Sequence, residues 1–196
     1  DLVRSRGLGD VYKRQDKALV QFVERGGKCL LLSRGAAIEN RIGYTPSTCF
    51  TPIFRTIPWN AGDSGNSGSV IHPHPALAAF PHEGICDLQF IQLIRGYYPM
   101  EFSPLRTYGV SPIIRAIDSY KKNRNNAYLL EFRVGKGKCL ATTLGILDKW
   151  QEHMEARYLF RCLLDYAQGG SFTPKAEVPS DLFFKLFRPR KKGSDK

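Results

Sequence analysis

The sequence predicts a doubly wound α/β domain whose sheet is mainly parallel and ends in an antiparallel hairpin. Three observations predict it. A helix-spaced run stops at Gly26-Gly27 and gives way at once to the apolar run KCLLLS at 28–33, the alternation of helix and buried strand that builds parallel sheets. Two further apolar runs, 127–134 and 139–146, are separated only by Gly135-Lys136-Gly137-Lys138. Four residues are too few for a parallel crossover, so these two strands must form a hairpin. An amphipathic helix over 155–168 then closes the pattern,.

The elements follow in order. Residues 1–15 lack helical and strand periodicity and read as a non-native or disordered leader, set apart from the fold,. From Asp16 the positions Ala18, Leu19, Phe22 and Val23 recur at helical spacing,. The 28–33 run reads as a strand buried on both faces. Residues 36–70 are rich in Gly, Pro, Ser, Thr and Asn and read as a long loop with one apolar patch at 53–59,. Residues 71–82 hold three prolines and three histidines, a shaped loop with one helical turn,. A short helix is expected over 87–95, with Leu88, Ile91 and Ile94 inward, and a strand over 112–118. In the 155–168 helix the stripe is Tyr158, Leu159, Cys162, Leu163 and Tyr166, and Gly169-Gly170 ends it,. The apolar cluster Leu182-Phe183-Phe184 and Leu186-Phe187 should dock on the domain surface or on a neighbour,. The expected organisation is therefore a leader at 1–15, a domain at 16–178 and a basic tail at 179–196.

Composition narrows the function classes. At 196 residues and 42% hydrophobic, the chain can bury one sizeable core,. No apolar run approaches the roughly 18 residues that span a bilayer, and no signal peptide is visible. The net charge of +11 sits mostly at the ends: residues 1–15 carry +2 and residues 185–196 carry +5. Such a tail reads as a solvated end rather than a nucleic-acid arm. The five cysteines form no C-x-x-C pair and indicate neither a zinc site nor a disulfide framework,. The compartment stays open.

Three segments carry a resemblance. HPALAAFPHEGICDLQF at 74–90 looks like the H-P-A-L-x-x-F-P…D-x-Q motif of C-terminal domains in glycoside hydrolase family 2 proteins. LLEFRVGKGKCL at 129–140 is similar to the E-x-x-V-G-K-G-K hairpin of those domains, and ARYLFRCLLDYAQGGSFTP at 156–174 to their closing helix and F-x-P. The element order resembles the class I glutamine amidotransferase-like, flavodoxin-like fold. The resemblance covers about residues 16–178. It implies a non-catalytic accessory domain of a β-galactosidase- or β-glucuronidase-like parent, with the parent's other domains or a second copy as partners and carbohydrate met through the parent. A periplasmic or secreted parent would export it, and otherwise it would be cytoplasmic. A domain of this type begins with a strand and helix before residue 16, so N-terminal truncation is expected.

The resemblance poses a catalytic question. The amidotransferase elbow G-x-C-x-G falls on Leu31-Leu32-Ser33-Arg34-Gly35, which puts Ser33 in the nucleophile seat and Leu31 in place of the first glycine. A serine hydroxyl needs a base, and LATTLGI at 140–146 has no histidine; His153 comes later, and His72, His74 and His82 come before. A small Ser33 hydrolase is the first alternative and a carbohydrate-binding module the second. The Gly135–Lys138 turn lacks the Ser or Thr and the helix of a phosphate cradle. His72, His74 and His82 with Glu83 and Asp87 could be drawn as a metal site, but they read better as loop histidines capping backbone groups. Trp59, Tyr97, Tyr98 and Tyr108 could stack on sugar, although packing against a neighbour is the commoner role. Asp118, Glu131 and Asp148 are dispersed single carboxylates. The candidate contact residues, for carbohydrate or a neighbouring domain, are Trp59, His74, Asp87 and Gln89; no cofactor or metal is expected.

Overall fold

The structure is a computed structural model that describes residues 18–32, 68–94, 97, 99–118 and 123–186, without the side chains of 184–186. The chain opens with helix α1 (18–24) and strand β1 (Lys28–Leu32), followed by β2 (Gly68–Ile71). Two 3-10 turns, Pro75–Leu77 and Leu88–Phe90, lead into α2 (Ile91–Ile94), β3 (Met100–Glu101) and α3 (Ser103–Arg106). Then come β4 (Pro112–Ile117), β5 (Asn126–Val134), β6 (Gly137–Thr142), α4 (Met154–Gln168) and α5 (Ser180–Leu186).

The six described strands form one sheet in the order β1-β6-β5-β4-β2, with β3 pairing β5. The fold is mixed α/β, as the sequence predicts, but the expected mainly parallel sheet is corrected. Only β1 and β6 pair in parallel, Cys29 opposite Cys139; the β2–β4, β3–β5, β4–β5 and β5–β6 pairings are antiparallel. The reason is connection length. Between β4 and β5 the chain has only residues 118–125, too few to carry a strand back over the sheet,.

Helices cover both faces. On one, α2, α4 and the 3-10 turns pack on Ile114, Leu129 and Leu140 through Leu77, Phe90, Leu93, Leu159 and Leu163. On the other, α1, α3 and α5 bring Val23, Leu105 and Phe183 onto Leu130, Phe132 and Ala141. Phe183 is fully buried and meets Phe132 edge-on at 5.8 Å, so this part of the aromatic tail docks on the domain itself.

The hairpin forms as expected, Val134 opposite Gly137 with Gly135 at φ 57°, a conformation that glycine adopts without strain. Gly137 is required for another reason: a Cβ there would run into the Val23 carbonyl, because the end of α1 lies against the hairpin.

Other expectations are corrected. β1 is half-buried rather than enclosed on both faces, since it is the terminal strand of the described sheet. The last residues of the expected 36–70 loop start β2, which the Gly- and Ser-rich composition hid. Ile94 is buried as expected, but Leu88 is exposed and Ile91 half-buried, because the helix opens as a 3-10 turn and brings Phe90 and Leu93 inward. Tyr158 is also largely exposed, its hydroxyl donating to the Ala79 carbonyl at 2.8 Å.

Candidate basic groove at a gap in the sheet

β5 is paired by β6 along residues 129–134 on one edge, and on the other its neighbour changes within that same stretch. β4 accompanies it up to Leu130, opposite Pro112. Past that point the segment after α4 takes over: Arg133 bridges Glu177, the Arg133 N–H donates to Ala176, and the Val178 N–H donates to Arg133, both at 2.8 Å. Glu131 lies in the gap. Register shifts in the β4–β5 pairing beside it mark a bulge, the distortion that re-aims side chains at strand edges.

A groove of about 810 Å³ opens there, lined by residues of β4, β5, α3, α4, the 72–75 loop and the 171–176 segment. Two lysines fix the last wall. Lys138 donates to the Phe172 carbonyl at 2.6 Å, and Lys28, its partner in the parallel register, donates to the Gln168 carbonyl at 3.0 Å. Cations suit the carbonyl-rich end of a helix. Lys138 of the Gly-Lys-Gly-Lys turn thus secures the segment after α4.

At the centre of the groove Glu131 joins His74 and Tyr166. The Tyr166 hydroxyl donates to Glu131 Oε2 at 2.7 Å. His74 Nε2 lies 3.5 Å from Glu131 Oε1, and the two side chains are mostly buried. Pro73 and Pro75 hold His74 extended ahead of the first 3-10 turn, where its Nδ1 accepts the Ala76 N–H at 3.2 Å. The His74 ring meets Tyr166 edge-on at 5.2 Å, and Tyr166 in turn packs on Phe172. Burial, and then the bond to the Glu131 carboxylate, push the Tyr166 phenol above the ordinary tyrosine range,.

The three side chains form one network. With its Nδ1 lone pair taken by Ala76, His74 carries its proton on Nε2, towards Glu131. Glu131 Oε2 accepts from the phenol, and Oε1 faces His74 Nε2. A general base must present a free lone pair to substrate, and this histidine presents none.

The lining is basic. Arg106, Arg115 and Lys175 contribute to it, against Glu131 as its carboxylate. Arg106 is oriented by Asn125 Oδ1 at 2.6 Å, and Asn125 is held by Ser103 at 3.0 Å. Among the described residues no carboxylate pairs with Arg106, Arg115 or Lys175.

Of the contact residues expected from sequence, His74 lines the groove and Asp87 and Gln89 do not. Gln89 donates to the Pro81 carbonyl at 2.6 Å, while Asp87 Oδ1 is buried without a hydrogen-bond partner. Ser33, Trp59 and Tyr98 lie outside the described residues. His74 and His82 do cap backbone, the latter accepting the Gly84 N–H at 3.1 Å. His153 precedes α4 and faces Glu152 at 3.8 Å. Tyr97 donates to Asp148, Asp118 pairs with Arg124, and Tyr108 is exposed. Among the described residues no three metal-ligating side chains converge, and no helix is long and apolar enough to cross a membrane. Sequence reasoning missed Arg106, Arg115 and Lys175, since nothing local links three cations from α3, β4 and the segment after α4. The one available signal was Glu131, a carboxylate that follows the apolar run Ala127–Leu130 of β5.

Fold and groove together define an α/β domain, layered helix–sheet–helix, with a cationic cleft at a sheet discontinuity. A family model described as a domain of unknown function (DUF8487) matches residues 11–188, and the chain belongs to that family. A search of curated proteins found no match to it.

Proposed function

We propose that this chain is a non-catalytic accessory domain of a glycoside hydrolase, and that its groove binds a ligand without turning it over. The observation that carries the reading is the His74–Glu131–Tyr166 network, in which the Nδ1 of His74 is taken up by the Ala76 N–H and the Tyr166 hydroxyl by Glu131. The finer fold belongs to the same proposal. The parallel β1–β6 pair, with α1 on one face and α4 on the other, supports a class I amidotransferase-like, flavodoxin-like origin. The H-P-A-L and V-G-K-G-K segments, which supply His74 and the hairpin, support the glycosidase parent.

The test has two arms. The purified chain, incubated with chromogenic glycosides and with glutamine, is expected to show no turnover. The parent enzyme with this domain deleted is expected to lose stability or assembly. Turnover by the chain, or a parent unchanged by the deletion, contradicts the reading.

A further inference from the structure

We infer that the groove is a recognition site for an anionic polyol, a small molecule that carries a carboxylate or phosphate together with several hydroxyls. The inference deepens the reading above and rests on it for the groove being a binding site.

Charge gives the first half of the ligand. Arg106, Arg115 and Lys175 reach one cleft from three separate elements, and among the described lining residues Glu131 is the single carboxylate set against them. Glu131 is itself engaged by Tyr166 and His74. Arg106 is held in place by the Asn125–Ser103 chain, and an oriented guanidinium recognises oxyanions better than a mobile one. Cations that line one cleft, with no carboxylate partner among the described residues, favour an anion there,.

The remaining lining gives the second half. Ser111, Ser171 and Thr173 bring hydroxyls, which both donate and accept, while Val110 and Pro112 bring apolar surface,. A bare oxyanion needs only the cations. At about 810 Å³ the cleft has the size of an ordinary small-molecule site,. An anionic ring or chain with hydroxyls uses all three kinds of lining.

The test titrates the full chain calorimetrically, at low salt, with D-glucuronate, D-glucose 6-phosphate, D-glucose and inorganic phosphate. One of the two anionic sugars should bind at least tenfold tighter than both D-glucose and phosphate, and the preferred one identifies the acidic group. Arg115→Ala and Lys175→Ala, on exposed side chains, should each weaken it on the order of tenfold. Glu131→Gln should strengthen it by removing the opposing charge, and Arg161→Ala, on the outer face of α4, should leave it unchanged. Equal affinity for D-glucose overturns the charge argument. Equal affinity for phosphate overturns the polyol argument, and no binding by any probe overturns both. None of these results depends on turnover, so they are separable from the failure of the accessory-domain reading.

Discussion

At Tyr166 a single hydroxyl joins α4 to β5. It donates to Glu131, and the proton it keeps has a consequence for stability. The folded-state pKa is raised by burial and by the carboxylate, whereas the unfolded chain has the ordinary value of about 10. A raised folded pKa contributes stability that is whole below the unfolded value and declines as pH climbs above it. Tyr166→Phe should therefore cost about 1 kcal/mol at neutral pH, and its unfolding free energy should approach that of the parent chain above about pH 10. Urea unfolding across pH 7–11 measures this, and a gap that stays constant would contradict it. His74 was legible as a capping histidine because its neighbours are prolines. Its ring partner was not: Tyr166 follows the helical stripe as an apolar residue, and its polar end finds Glu131 only when α4 lies across β5.

At the scale of elements, the hairpin and α4 were readable because each is fixed by local chemistry. Gly135 supplies the turn, and helical spacing supplies the buried face of Leu159, Cys162 and Leu163. Away from the hairpin, strand direction was harder to read. It depends on which strands meet, and β2 and β3, hidden in Gly- and Pro-rich surroundings, occupy places that a parallel reading had left empty. The contact between α1 and the hairpin is equally non-local. Gly137→Ala should destabilise the domain by about 1–3 kcal/mol through overpacking, because the new methyl meets the carbonyls of Val23 and Gly27. Gly170→Ala, which opens onto empty space, should be nearly neutral. Thermal unfolding of the pair decides it; equal effects would mean that α1 does not seat on the hairpin.

For the whole molecule, the groove arises because β5 changes partners along one edge. Its lining runs from His72 to Ala176 along the chain, so no motif could announce it, and the charge that the sequence locates at its ends distracts from the cations gathered here. The most direct measurement is an amide chemical-shift titration of the full chain with D-glucuronate and D-glucose 6-phosphate. Shifts should cluster at Ser111, Ile113, Glu131 and the non-proline residues of 171–176, around the gap between β4 and Glu177, and fade as salt is raised,. Shifts absent from those residues, or gathered at the opposite end of the sheet around Leu32 and Thr142, would contradict it.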